Sequence, residues 1–268
     1  MTMANFSRAL QAIQHGRVRT AILAGGFGHR LDAATDQARN MHAVAKPACT
    51  VGNLRIIEFT IRALRKAGIS DFHIFLCFLP DSIRQVVGNG KIYGANVNLT
   101  ESTQELTDPL DTASVVGNLV HKNGWAKNDG DVILVPSADI VHDINIAAVL
   151  DRHLENREQH GACATIVSNI VPWNTVERFG TMRLEGMPER KAFKSNLEFE
   201  DAVGTWLTNR QAASAKIIEF REKAHRDAAL SCLNNSSFYI FDAVLFRQLL
   251  PMFTKDDKGA ALIPELFQ

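Results

Sequence analysis

Short apolar runs alternate with amphipathic stretches through the first 170 residues, and this alternation leaves the chain few architectures. Arg19–Ala24, Phe72–Phe78, Asp131–Val135 and Ala162–Ser168 are runs of strand length, with a shorter one at Asn96–Leu99. Between them, Phe6, Leu10 and Ile13 recur at helical spacing within residues 5–15. Leu54, Ile57, Ile61 and Leu64 give one apolar face to a helix over Leu54–Lys66, capped by Gly68. Further helical pieces fall at Asp81–Val87, Thr112–Val120 and Asn145–Glu158. Strands and helices in turn predict an α/β fold with a doubly wound, mostly parallel (mixed) sheet. The rhythm loosens beyond residue 170. Residues 186–212 read as polar and irregular, Lys216–Phe220 and Ser236–Phe241 read as strands, and Lys258–Gln268 ends while still patterned. No repeat, low-complexity tract or Pro/Gly linker divides the chain, so a single domain over 1–268 is expected.

Composition excludes several classes. With 268 residues and 46% apolar content the chain can bury a large core, and disorder is not expected. Lys+Arg and Asp+Glu number 29 each, so the basic excess of a nucleic-acid binder is missing. No apolar run approaches the length of a membrane span, and no signal-peptide pattern opens the chain. Cys49, Cys77, Cys163 and Cys232 stand far apart without a CxxC pair. That spacing fits reduced thiols in a cytoplasmic protein better than a zinc site or a disulfide frame. The nine histidines show no metal spacing.

The most informative segment follows the first strand: Ala21-Ile22-Leu23-Ala24-Gly25-Gly26-Phe27-Gly28-His29-Arg30-Leu31. Glycines there let the backbone approach a ligand and turn its N–H groups toward an anion. The dinucleotide fingerprint fits Gly26 and Gly28 but meets Leu31 where a third glycine belongs, and the Walker loop is absent. What remains is a glycine loop that carries its own arginine, whose guanidinium can grip phosphate oxygens bidentately. A plain strand-to-helix turn would not need three glycines in four residues. His29, inside this loop, is the one histidine placed to titrate beside a phosphate.

Gly25–Leu31 together with Lys46-Pro47 resembles the GGxGTRL and Lys-Pro signature of the nucleoside-diphosphate-sugar pyrophosphorylases, the sugar-1-phosphate nucleotidyltransferases. Ala45–Ala48 with Arg55–Phe59 leans toward the glucose-1-phosphate adenylyltransferase branch. Further elements follow in order. Pro109-Leu110-Asp111-Thr112-Ala113 is similar to the base-binding PLGTA element, and Ser137-Ala138-Asp139 stands where the family carries its metal-binding aspartate. Arg178–Thr181, Phe220–Ala224 and Ser231–Tyr239 resemble the YGV, FxEKP and SNxxNAGIY segments. The chain departs from the pattern at His29 (Thr), Asp111, Ala138 and Ser237 (Gly), and Ala224 (Pro).

The resemblance implies a Rossmann-like nucleotidyltransferase fold and a Mg²⁺-dependent reaction in which NTP (ATP or GTP) and a sugar 1-phosphate give NDP-sugar and pyrophosphate. A phosphate monoester is largely dianionic near neutral pH, so no general base is required. Catalysis then rests on alignment and charge stabilisation. By the resemblance, Arg30 and Lys46 are the catalytic cations. Leu23, Ala24, Gly25, Gly26, Gly28, Asp111 and Thr112 hold the nucleotide, and Asp139 holds Mg²⁺. Lys223 receives the sugar phosphate, Glu222 and Asn235 bond sugar hydroxyls, and Gly180 lets the sugar approach the backbone. A homo-oligomer is expected. Family members carry a second metal-binding aspartate, and many a β-helix, beyond the equivalent of Ile263-Pro264. The chain therefore reads as the catalytic region of a longer protein or a reduced relative. A non-catalytic relative that keeps the pocket is the rival reading, and a nicotinamide dehydrogenase, lacking the third glycine, a distant third.

Overall fold

In a computed structural model, residues 6–25, 44–101, 112–125, 127–209 and 214–253 are described. They divide into two compact units, one formed by residues up to Thr165 together with those from Ser237 onward, the other by Ile166–Ser236.

The first unit is built on a sheet with the order β5-β4-β1-β6-β10. Strands β1 (Val18–Ala24), β4 (Asp71–Leu76), β5 (Asn96–Glu101) and β6 (Val132–Pro136) run parallel, and β10 (Leu233–Asp242) lies antiparallel to β6. All five residues of β6 are buried, as a central parallel strand covered on both faces requires. Helix α2 (Ile56–Lys66) buries Ile57, Thr60, Ile61 and Leu64 at i, i+3, i+4, i+7; Ile57, Ile61 and Leu64 belong to the face read from the sequence, and Thr60 adds to it. Its start differs from expectation. Leu54–Arg55 (β3) pairs with Thr50–Val51 (β2) in a small hairpin that turns at Gly52, where φ is +61°. The Arg55 N–H donates to the Glu58 carboxylate at 2.7 Å, so the helix begins only at Ile56. Helix α3 (Pro80–Val87) follows β4, and α4 (Thr112–Asn123) precedes β6. Helix α5 (Ile146–His160) is capped by Asn145, whose Oδ1 accepts the Ala148 N–H, and it stops at left-handed Gly161.

Helix α1 (Ser7–Gln14) begins without a side-chain cap of its own. Asp151 on α5 supplies one from a distance, its Oδ1 accepting both the Arg8 and the Ala9 N–H at 3.0 Å. Arg8 Nε adds a 2.9 Å ion pair to Glu158, and Ala9 and Ala12 are buried.

In the second unit, β8 (Thr181–Leu184) pairs antiparallel with β9 (Ile217–Arg221), and Asn234 of β10 meets Thr181. Strand β7 (Ala164–Ile170) enters this unit from the first. The stretch read as irregular contains a 14-residue helix, α6 (Asn196–Asn209). Its apolar face is narrow: Phe199 and Val203 are fully buried, Phe199 meeting Trp173 edge-to-face at 5.6 Å, while Leu197 is exposed. Glu198, Glu200, Asp201 and Gly204 interrupt the pattern, and tertiary packing overrides them. No helix among the described residues is long and apolar enough to cross a membrane.

Candidate active site

The carboxyl ends of β1 and β6 lie side by side. The Ala138 N–H donates to the Leu23 carbonyl at 2.8 Å, and Leu23 bridges Ser137 in parallel. In this sheet β1 leads on to β4, while β6 leads on to the side of β10, so the connections from this adjacent pair depart in opposite directions. In an open α/β sheet such a switch point opens the crevice where ligands bind. Gly25, the first residue after β1, has a packing reason for its identity: a Cβ there would sit 2.9 Å from the Cβ of Cys77, just past β4. Leu23, Ala24 and Gly25 are thus placed at that crevice. Gly26, Gly28, His29, Arg30 and Asp111 lie outside the described residues. Thr112 opens α4, and its side chain lies outside them as well.

Lys46 begins a single 3₁₀ turn, Lys46–Ala48, anchored by buried Ala45, Pro47 and Ala48. The Ala45 N–H donates to Ser82 Oγ on α3 at 3.0 Å. From this fixed base the lysine reaches Asp139, with Nζ 2.6 Å from Oδ2. The other carboxylate oxygen accepts the Ser137 hydroxyl, also at 2.6 Å, and the Ser137 N–H donates to the Ser237 carbonyl at 2.9 Å. Burial pushes the Asp139 carboxyl up, but the hydrogen bonds from Lys46 and Ser137 outweigh it and hold it below its ordinary value. An ionised carboxylate thus projects from the end of β6, held from one side by a serine and from the other by an ammonium.

This donor set suits magnesium. Mg²⁺ is a hard cation usually held by one or two carboxylates together with substrate phosphates and water. Asp139 supplies one carboxylate, and among the described residues no cluster of three or more His, Cys, Asp or Glu surrounds it. The remaining ligands would come from phosphate oxygens and water.

The second unit gathers the other predicted residues. The Asn235 N–H donates to the Gly180 carbonyl at 2.8 Å, and the Lys223 N–H donates to the Phe179 carbonyl at 3.1 Å. Lys223 Nζ lies 3.4 Å from Glu222 Oε1. A Cβ on Gly180 would run into the Glu222 carboxylate and would meet the Phe220 ring at 2.5 Å. Only glycine therefore fits beside Glu222. Lys223 itself is left-handed at φ +43°, a conformation costly for a residue with a side chain and most often kept at functional sites. Gly180, Glu222, Lys223 and Asn235 lie close together in this unit.

Sequence reasoning gave no role to Ser137, which clamps Asp139, or to the backbone of Ser237, which holds Ser137. The serine two residues before the aspartate was visible, but a hydroxyl at that spacing is common in turns and carries little signal. Ser237 occupies a glycine position of the family pattern and keeps the glycine-type backbone, with φ +53°. Ala138, the other substituted glycine described, is fully buried and keeps its hydrogen bond to β1.

The nucleotidyl transferase family model matches residues 19–268. A glucose-1-phosphate adenylyltransferase of Bacillus subtilis is 30% identical over 205 residues, covering 70% of this chain and 50% of that protein. The protein of the same name from Bacillus thuringiensis is 25% identical over 246 residues, covering 89% of this chain and 55% of its own. A third, from Thermotoga neapolitana, is 30% identical over 176 residues, covering 62% and 39%. The chain thus spans about half the length of the curated relatives it matches. Among solved structures, a putative glucose-1-phosphate thymidylyltransferase from Bacillus anthracis, in complex with a sucrose, has the same fold at TM-score 0.60 and 20% identity, covering 87% of this chain and 74% of its own. With Gly25, Lys46 and Asp139 at the carboxyl edge of the sheet and the family model matched over residues 19–268, the chain belongs to the nucleotidyl transferase family.

Proposed function

We propose that this protein transfers a nucleotidyl group from an NTP, ATP or GTP, to a sugar 1-phosphate, giving an NDP-sugar and pyrophosphate. The observation that carries the reading is the Lys46–Asp139–Ser137 arrangement beside the end of β1. It presents an ammonium and an ionised carboxylate where the fold binds phosphates. A phosphate oxygen of the sugar 1-phosphate attacks the α-phosphorus. The bond from that phosphorus to the α,β-bridging oxygen breaks, and its electron pair leaves with pyrophosphate. Mg²⁺, when bound, supplies charge neutralisation along the phosphates. Asp139 would hold it. Lys46 neutralises the α-phosphate, and Arg30 steadies the β- and γ-phosphates and the leaving pyrophosphate. The backbone of Leu23–Gly26 and Gly28 cradles the nucleotide, with Asp111 and Thr112 near its base. In the second unit, Lys223 receives the sugar phosphate, Glu222 and Asn235 bond hydroxyls, and Gly180 leaves the space they need. The same reading makes residues 1–268 one catalytic domain, working as a cytoplasmic homo-oligomer. Four cysteines free of disulfides accord with that compartment.

The glycine-type backbone of Ser237 and the hydrogen bond from Ala138 to Leu23 weigh against the non-catalytic reading, since the strand ends that frame Asp139 stay hydrogen-bonded. The deciding experiment measures pyrophosphate release from a matrix of ATP, GTP, CTP, UTP and dTTP against sugar 1-phosphates, with Mg²⁺. Release from one nucleotide–sugar pair, abolished by EDTA, is the expected result. Nucleotide binding without release from any pair would make the protein a non-catalytic relative.

A further inference from the structure

The placement of Lys46 has a consequence for how the metal arrives. Its ammonium lies 2.6 Å from Asp139 Oδ2, on the carboxylate that a divalent cation would use. The opposite oxygen, Oδ1, is tied by the Ser137 hydroxyl, and Ser137 is tied in turn through its N–H to the Ser237 carbonyl. The carboxylate is therefore fixed from behind, while the group in front of it stands on a flexible four-carbon stem. An ammonium and a divalent cation cannot share one carboxylate oxygen without strong mutual repulsion.

We propose that in the nucleotide-free protein Lys46 occupies the cation position on Asp139, so that a divalent cation gains access only when nucleotide phosphates draw the lysine away. The inference rests on the reading of Asp139 as the metal-binding residue. Lys46 then has two successive partners, Asp139 before the nucleotide binds and the α-phosphate afterwards. A cation reaching the empty protein alone must first displace the lysine. A cation carried in on the nucleotide meets a carboxylate that the phosphates have already released. The side chains of Lys46 and Asp139 are about a third exposed (30% and 34%), so the exchange needs a rotation of the lysine stem and no opening of the core. If the pair is closed for about nine-tenths of the time, the apparent affinity for free metal falls about tenfold.

The test uses Mn²⁺ as the probe, with binding to the 268-residue chain read from the loss of the free-ion EPR signal. Wild type, Lys46→Met, Lys46→Arg, Asp139→Asn and the Lys46→Met/Asp139→Asn double variant are titrated without nucleotide, then with ATP or GTP. The expected result is one Mn²⁺ site in Lys46→Met that is about tenfold tighter than in wild type and absent from the double variant. Lys46→Arg, which keeps the charge, should remain as weak as wild type. Should Lys46→Met melt early, Lys46→Gln serves in its place. If the uncharged variants bind Mn²⁺ no tighter than wild type while nucleotide still elicits Asp139-dependent binding, the exchange is wrong and the metal assignment stands. If Asp139→Asn changes Mn²⁺ binding under no condition, both fall together.

Discussion

The two edges of the first unit's sheet each hold an aspartate bound to a basic group, and they hold it in opposite ways. Asp139 follows the end of β6; Asp242, the last residue of antiparallel β10, pairs with Val132 at the start of β6 and so sits at the other edge. Asp139 is partly open, with one movable lysine in front of it. Asp242 is 4% exposed and gripped from several sides. Arg157 NH1 lies 2.9 Å from its Oδ1, His153 Nε2 lies 3.3 Å away, and its backbone N–H donates to the Cys163 carbonyl at 2.9 Å. His153 is itself fully buried, with Nδ1 2.9 Å from Thr165 Oγ1. A charge that must exchange partners needs solvent and a flexible counter-ion. A charge that only joins a helix to a strand can stay dry so long as it is fully bonded. The amino edge therefore reads as structure and the carboxyl edge as chemistry.

The sharpest challenge to this contrast is a matched pair of substitutions. Asp139→Asn is expected to lower kcat/KM about 10³-fold, some 4 kcal/mol of transition-state stabilisation, while the melting temperature moves by no more than about two degrees. Asp242→Ala should do the reverse. It leaves Arg157 and buried His153 without their carboxylate and should cost about 3 kcal/mol of stability, a drop of roughly 6–12 °C in Tm. Its kcat, measured well below that Tm, should stay within about threefold of wild type. A large stability loss in the first variant, or a large kcat loss in the folded second, would erase the distinction.

A smaller effect of opposite sign is expected from Ser237→Gly, on β10 near the carboxyl edge. Relief of the left-handed strain should raise stability by about 1 kcal/mol in chemical denaturation, with the hold on Ser137 intact because it is a backbone carbonyl. A destabilised variant would show that the serine side chain contributes more than its backbone costs. The smallest effect is in the middle of the sheet, where His73 pairs with Ala21. His73 on β4 stacks edge-to-face on Trp125 at 4.8 Å, and burial lowers its pKa below 6.5, with Asp71 opposing the shift and Arg19 adding to it. The unfolded chain therefore takes up this proton first, and stability contributed above pH 6.5 is lost as pH falls through the lower folded value. Denaturant titrations at pH 7.5 and 5.5 should show a smaller acid loss for His73→Asn than for wild type. An equal loss would assign the acid sensitivity to another group.

The parallel part of the fold was legible because a central parallel strand is a nearly unbroken apolar run, as Val132–Val135 is. Helix α6 was not, since only Phe199 and Val203 are deeply buried on it and acidic residues fill the turns between. The start of α2 was misplaced because Leu54 fits a helical stripe and a hairpin strand equally well. Pairing with Val51, a tertiary event, decides between them. Lys46 and Asp139 in the first unit, and Gly180, Glu222, Lys223 and Asn235 in the second, were named from a family resemblance. Their partners were not: no local pattern announces that Lys46 rests on a residue 93 positions away, or that Gly180 is glycine because of Glu222 and Phe220.

The borrowed cap on helix α1 sets a timetable for synthesis. The carboxylate that receives the N–H groups of Arg8 and Ala9 leaves the ribosome 143 and 142 residues after them. At roughly 5–20 residues per second, that interval is on the order of ten to thirty seconds. The first three residues of strand β1 wait nearly as long, since Val18–Thr20 pair with Val132–Leu134, whereas Ala21–Ala24 find β4 sooner. Helix α1, which precedes the segment matched by the family model, must therefore settle well after its own synthesis. A tag or partner attached there would compete with Asp151 during that window, so expression yield, more than the stability of the finished protein, should register its presence.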